Sequence, residues 1–261
     1  MRKKRLLVVG YKGFLGRNLY EYFMQCGEYH VKGLCSKDKI DDFVDEDYAY
    51  VIFAAGNSKT YLAEQDPISC IRRDYIDLVN ILDKIKSKKF IIFSSCTVYS
   101  SNMKNQNENT LIDINELSLY GTHKLIMEKY LKELSKSWLI LRPTSFFGRY
   151  LSKNLLFDLR HNRKQIYYNT NSKFDYLPID DFCRIVDMVK DIENQVFNVG
   201  SGVIFPLEEL LTMKGSINEY DYVSDHLVDN SSFSVDKIMK QTGLHFTKSK
   251  LRKQIYNYVR G

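Results

Sequence analysis

Tyr120 and Lys124 stand four residues apart in a stretch, Leu119–Leu134, whose apolar spacing predicts a helix, so their side chains share one face. A phenol beside an ammonium is drawn toward its ionised form. A tyrosine placed this way serves as general acid when a carbonyl is reduced, or as base in the reverse direction. Far upstream, Gly10-Tyr11-Lys12-Gly13-Phe14-Leu15-Gly16 follows an apolar run and opens a helical one. Glycines in that context allow a tight turn and let backbone N–H groups approach a pyrophosphate. Their spacing is G-x-x-G-x-x-G. The two features together describe a dinucleotide site and a proton donor.

The residues after the second strand bear on which dinucleotide. An Asp or Glu at that strand end would accept hydrogen bonds from a free ribose 2′-hydroxyl and select NAD. Here the stretch reads Gly33-Leu34-Cys35-Ser36-Lys37, with no acid until Asp38. A hydroxyl followed by a lysine, Ser36 and Lys37, suits a 2′-phosphate, so NADP(H) is expected over NAD(H).

The elements that must carry these residues alternate strand and helix, the signature of an α/β fold with a doubly wound, Rossmann-type parallel sheet. Strands are expected at Arg5–Val9, His30–Leu34, Tyr50–Ala54, Phe90–Phe93 and Trp138–Leu141, the last closed by Arg142-Pro143. A helix is expected from Gly13 to Gln25, with Phe14, Leu15, Leu19, Tyr22 and Phe23 on its buried stripe. A long helix is expected from Asp66-Pro67 to Ile85, with the proline in its first turn. Ser101–Asn109, polar and rich in Asn, reads as a surface loop. The expected boundary lies near residue 150: 1–150 binds the dinucleotide, and 151–261 forms a small α/β substrate-binding region woven back into the sheet around 175–200. Within the latter, helices are expected near Asn154–Arg160, Asp180–Lys190 and Lys248–Val259, and strands at Gln165–Tyr168 and Gln195–Asn198.

Composition narrows the class. The chain has 261 residues, 44% apolar and 27% charged, enough for one sizeable α/β domain with an appendage. No apolar run reaches the roughly 20 residues of a membrane helix, and the apolar start runs straight into the glycine turn as a first strand. The five cysteines, Cys26, Cys35, Cys70, Cys96 and Cys183, are widely spaced without C-x-x-C. That spacing argues against a disulfide framework or a metal site and for a reducing cytoplasm. A net charge of +6 suits an anionic small substrate. No basic run is interleaved with aromatics as single-strand binders require, so no nucleic-acid partner is expected.

The chain resembles the extended short-chain dehydrogenase/reductases, the superfamily of nucleotide-sugar epimerases, dehydratases and 4-ketoreductases. The resemblance rests on the glycine turn, Phe53-Ala54-Ala55-Gly56-Asn57, Phe93-Ser94-Ser95-Cys96-Thr97-Val98-Tyr99 and Tyr120-Gly121-Thr122-His123-Lys124 with Glu128. It continues through Leu141-Arg142-Pro143-Thr144-Ser145-Phe146-Phe147-Gly148, Ile179-Asp180-Asp181 and Phe197-Asn198-Val199-Gly200. It implies that Ser95 hydrogen-bonds a substrate carbonyl, that Tyr120 supplies the proton and that Lys124 also holds the nicotinamide ribose. It further implies cofactor contacts from Gly10, Gly13, Phe14, Leu15, Gly16, Ala54, Ala55, Gly56 and Pro143, and a homodimer formed through a helix bundle that includes the Tyr120 helix. Ser94 and Thr97 read as strand-end hydrogen bonders; Tyr99 either lines the sugar pocket or packs.

The reaction is narrowed by departures from the family. Its dehydratases carry an Asp-Glu pair just after the catalytic hydroxyl; Cys96 and Thr97 stand there, so dehydration is not expected. Enzymes that epimerise carbons beside the ketone use a cysteine and a histidine, and Cys96 is one residue off that register. The missing acid after strand two and the small C-terminal region favour a 4-ketoreductase with exchangeable NADPH, acting by family analogy on a 4-keto-6-deoxy nucleotide sugar for surface polysaccharide. The alternatives are a 4-epimerase with tightly held NAD and a non-catalytic dinucleotide sensor. Substrate contacts are expected from Ser95, Cys96, Thr97, Ser145, Arg149, Asn154 and Lys173. Ser145 replaces the usual Asn after Arg-Pro, Arg149 the usual Pro, and Phe174 the Arg that commonly precedes the Asp-Asp strand. Arg149, Lys153 and Lys173 remain to serve a diphosphate by other geometry.

Overall fold

Leu6–Val9 is apolar without alternation and wholly buried, the pattern of a strand covered on both faces. The computed structural model describes residues 3–100 and 103–261. Through the first half run β1 (Lys4–Val9), α1 (Phe14–Cys26), β2 (Tyr29–Leu34), β3 (Tyr50–Phe53), α2 (Leu62–Gln65), α3 (Pro67–Ile71), α4 (Asp77–Lys84), β4 (Phe90–Phe93), α5 (Leu119–Leu134) and β5 (Trp138–Pro143). There follow β6 (Ser145–Phe147), α6 (Leu155–Arg160), β7 (Gln165–Ile166), β8 (Lys173–Pro178), α7 (Ile179–Val189) and β9 (Gln195–Val199). The chain closes with β10 (Ile204–Pro206), α8 (Leu207–Thr212), β11 (Asp221–Tyr222), α9 (Asp236–Thr242) and α10 (Lys248–Arg260).

Six strands form the main sheet in the order β2-β1-β3-β4-β5-β9. Each pair from β2 to β5 is parallel. Gly10 lies at the carboxyl end of β1, where the strand order reverses, the place at which such sheets bind ligands.

The chain divides into two units. One comprises, among the described residues, 3–100, 108–143 and 183–197; the other comprises 103–107, 144–182 and 198–261. The chain thus passes between them repeatedly, where the sequence suggested a boundary near 150. The first unit buries Leu7, Val9, Val51, Phe53, Ile92, Leu131 and Ile140 in one core. The second builds its own core from Leu155, Leu156, Phe174, Tyr176, Phe205, Leu210, Leu251 and Ile255. Its strands pair as β10-β8-β6 and β11-β7.

One expectation changes and another gains a detail. The long helix from Pro67 to Ile85 is broken: α3, capped by Asp66 accepting from the Ser69 N–H at 3.1 Å, passes through a π turn at Arg72–Ile76 before α4 begins. A π turn inserts a residue into the helical ladder and is frequent at functional sites; this one carries Asp74. The surface loop expected over Ser101–Asn109 is, over its described residues, pinned at Gln106. That residue is buried, donates its N–H to the Ser232 carbonyl at 2.7 Å and accepts from the Ser234 N–H at 2.8 Å. Ser101 and Asn102 lie outside the described residues.

α5 is fastened to β5 by a buried fork. Arg142 donates Nε and Nη2 to the two carboxylate oxygens of Glu128 at 2.8 and 2.7 Å, and Nη1 to the Tyr99 hydroxyl at 2.7 Å. Replacing one partner strands the other charge without water. Glu128→Ala should therefore cost about 3–5 kcal/mol of stability, read by urea denaturation followed by circular dichroism.

Candidate active site

The glycine turn closes on itself: the Gly13 N–H donates to the Gly10 carbonyl at 2.9 Å. Gly10 has φ +84°, and a Cβ there would lie 2.7–2.8 Å from backbone atoms of Ala54 and Ala55. Glycine is what lets the ends of β1 and β3 meet backbone to backbone. No side chain caps α1 and no acid stands in its first turn. The positive end of this helix, with Phe14, Leu15 and Gly16 in its first turn, is therefore not countered by a carboxylate, which fits a pyrophosphate.

Beyond β2 the chain turns tightly. The Cys35 N–H donates to the Asp38 carboxylate at 2.7 Å, and the Asp38 N–H donates to the Cys35 carbonyl at 3.0 Å. Hydrogen bonding with Cys35 holds Asp38 below its ordinary range. The first acid after the strand thus serves the turn's own backbone, with Ser36 and Lys37 at its tip. Lys12, whose role the sequence did not reveal, reaches the same turn from the glycine loop, close enough to interact with Cys35 and Asp38.

Ser95 follows β4 and caps the short turn Cys96–Val98. Its Oγ accepts from the Thr97 N–H at 3.2 Å and from the Thr97 hydroxyl at 2.9 Å. With both lone pairs engaged, the Ser95 hydroxyl proton is directed to a third partner. The first turn of α5, capped by Ser118 accepting from the Gly121 N–H at 3.2 Å, docks directly on this turn. A Cβ at Gly121 would collide with the Thr97 carbonyl. Gly121 therefore sets the distance at which Tyr120 meets Ser95, near enough for the serine to act on the phenol. Lys124 lies one turn further along, its Nζ 5.4 Å from the centre of the Tyr120 ring. Ser95, Tyr120 and Lys124 are thus brought together, with Cys96 and Thr97 beside them.

The expectation of an easily ionised phenol meets an opposing influence. Burial pushes the Tyr120 phenol above its ordinary value, the charge of Asp74 and the nearby Cys96 add to this, and hydrogen bonding with Ser95 opposes it. Lys124 points its ammonium at the buried Asp74 carboxylate, 3.1 Å away. Burial pulls Lys124 below its ordinary value, with Asp74 opposing. Asp74 escaped the sequence reading, although Cys70, Asp74, Leu78 and Ile81 recur at helical spacing and are all buried. A carboxylate on such a stripe is the signal that could have found it.

Tyr99 packs, held by Arg142. Thr97 is a hydrogen bonder as expected; the Ser94 hydroxyl is buried without a partner among the described residues, while its N–H bonds the Leu141 carbonyl at 2.8 Å. Pro143 ends β5.

The second unit carries the remaining candidates, each engaged within that unit. Ser145 starts β6 opposite Tyr176 of β8. Arg149 pairs with Asp180 at 3.1 Å and Lys173 with Asp229 at 3.6 Å, all four side chains at least a third exposed to solvent or nearly so. Asn154 caps α6 at φ +120°, accepting from the Phe157 N–H at 3.0 Å and donating to the Phe146 carbonyl at 2.8 Å. Phe174 is buried against Tyr168 and Tyr176, a core residue where the family commonly places an arginine.

Comparisons with known proteins bear on this geometry. The sequence model of the NAD dependent epimerase/dehydratase family matches residues 6–200. No curated protein matches the chain. Among solved structures, a UDP-glucose 4-epimerase with UDP-glucose from Thermotoga maritima is 20% identical with a TM-score of 0.83, covering 98% of this chain and 97% of that one. MoeE5 in complex with UDP-glucuronic acid and NAD is 16% identical with a TM-score of 0.84, covering 97% and 98%. A UDP-glucuronic acid 4-epimerase from Bacillus cereus in complex with UDP-glucuronic acid and NAD is 18% identical with a TM-score of 0.78, covering 98% of each. At these identities the likenesses show the fold.

The docking of α5 on the Ser95 turn predicts the effect of one methyl group. Gly121→Ala should displace Tyr120 from Ser95 and lower hydride-transfer turnover by about 10²-fold, with the circular dichroism spectrum unchanged; steady-state kinetics of the variant checks this.

Proposed function

This chain belongs to the NAD-dependent epimerase/dehydratase family, and from that premise we propose that it reduces the C4 ketone of a nucleotide sugar with NADP(H). The observation that carries the reading is the meeting of Ser95, Tyr120 and Lys124 in one buried cluster, followed by Cys96 and Thr97 where a dehydratase would need carboxylates.

The glycine turn, Ala54-Ala55-Gly56 and Pro143 would hold the dinucleotide, with Lys124 toward the nicotinamide ribose and Lys12, Ser36 and Lys37 toward a 2′-phosphate. When bound, the dinucleotide supplies the hydride. Ser95 donates its hydroxyl proton in a hydrogen bond to the ketone oxygen, because Thr97 occupies both of its lone pairs. Tyr120, kept as a phenol by its burial, delivers the proton that completes the alcohol. Arg149, Lys153 and Lys173 would serve the substrate diphosphate, and Ser145 and Asn154 would be further substrate contacts.

A second reading is a 4-epimerase that keeps NAD. It is favoured by the solved relatives, two of which are 4-epimerases and two of which hold NAD. Against it stand the absence of a free acid after β2 and the lysines at that turn. The exposed apolar side chains Ile68, Ile76, Leu119, Tyr130 and Leu134 around α3 and α5 support a homodimer of the family's kind. A cytoplasmic place in surface-polysaccharide synthesis follows from family analogy alone.

Tyr120→Phe should lower NADPH-dependent reduction of a 4-keto-6-deoxy nucleotide sugar by about 10²–10⁴-fold and leave NADPH binding intact. Equal loss of cofactor binding, or no loss of turnover, would count against the proposed role. Lys12→Glu with Lys37→Glu should weaken NADPH far more than NADH, as fluorescence titration of both cofactors would record.

A further inference from the structure

Asp74 is fully buried on the π turn between α3 and α4. Its Oδ1 accepts from the Asn57 N–H at 2.7 Å and from the Lys124 ammonium at 3.1 Å. The room for this pair is made by Gly56: a Cβ there would lie 2.8 Å from that oxygen and 2.9 Å from Lys124 Nζ. The second oxygen, Oδ2, is buried with no hydrogen-bond partner among the described residues and lies 3.9 Å from His123 Nδ1. Two separate elements, the segment after β3 and α5, therefore converge on one carboxylate of a third that the chemistry proposed above does not use.

The groups around Tyr120 can be counted element by element. Cys70 faces it from α3 and Asp74 from the π turn, Cys96 and Ser95 from the turn after β4, and His123 and Lys124 from its own helix. Burial pulls His123 below its ordinary value and raises the Cys70 thiol, so neither is charged at neutral pH. Besides the Cys96 thiol, what remains is one cation, Lys124, and the Asp74 carboxylate in direct contact with it.

We propose that Asp74 is a positioning residue whose buried carboxylate cancels the charge of Lys124 and so keeps Tyr120 in its proton-donating form, favouring reduction of a ketone over removal of a hydroxyl proton. The proposal rests on the reading that Tyr120 exchanges a proton with substrate. A tyrosine that must first act as base needs the uncompensated field of a neighbouring cation. Here that field is neutralised at its source, and burial of the phenol acts in the same direction.

The test is the tyrosinate absorbance of Tyr120 in the purified full chain, taken as the difference between each protein and the same protein carrying Tyr120→Phe. It needs no substrate, so it is independent of whether the reductase reading succeeds. In the wild type, Tyr120 should remain protonated through pH of about 10, the ordinary phenol value. In Asp74→Asn, which keeps the shape and removes the charge, it should ionise about one unit lower or more, and Asp74→Asn with Lys124→Met should return it toward the wild-type value. Ionisation near neutral pH in the wild type, or an unchanged titration in folded Asp74→Asn, overturns the proposal. Should Asp74→Asn not fold, Asp74→Ser, equally uncharged and smaller, is titrated in its place and judged by the same outcomes.

Discussion

An ammonium group buried beside an active-site phenol must find a counter-charge, because an unpaired charge without water is prohibitively costly. In this protein Lys124 finds it in Asp74, and much of the first unit is arranged around that contact. The π turn swings Asp74 inward, Gly56 leaves space at the end of β3, and the Asn57 N–H fixes the carboxylate. α5 is then held at one end by this pair and further along by the Glu128–Arg142 fork. Tyr120, between a docked first turn and a pinned Lys124, has little freedom in where its hydroxyl points.

That arrangement separates two demands on the same side chains. Proton donation requires a phenol that stays protonated until a ketone oxygen gains charge; proton removal requires a phenolate beforehand. On the proposed reading, burial and the charge of Asp74 serve the first demand. Ser95 is prepared in the same sense, since Thr97 fills its acceptor sites and leaves it a donor. At the other end of the cofactor site, Asp38 is drawn into its own turn while Lys12 and Lys37 stand near it. Features distant from one another in the sequence thus bear on one proposed reading, a dissociable hydride donor and a ketone acceptor.

The main sheet was legible because its strands are unbroken apolar runs bounded by turn residues; Phe90–Phe93 and α5 fall where their spacing puts them. Tyr120, Lys124 and Ser95 were legible because their chemistry is tied to short fixed spacings. Asp74 was not, since its partner lies 50 residues away and only folding brings them together. The π turn was invisible for a related reason: the extra residue is inserted to satisfy a tertiary contact, and helix propensity says nothing of it. In the second unit, β8 and β10 pair antiparallel in a short ladder whose register depends on packing against α8 and α10, so local pattern left both unmarked. Phe174 illustrates the limit: the sequence showed only that it replaces the family's usual arginine, and the structure shows that it is core.

The most direct measurement is mass spectrometry of whatever small molecule is released when the purified protein is denatured. A reductase with a dissociable donor should release no stoichiometric dinucleotide, and the same preparation should then take up NADPH in preference to NADH. Release of NAD in a one-to-one ratio with the chain would contradict this and assign the protein to the 4-epimerases instead.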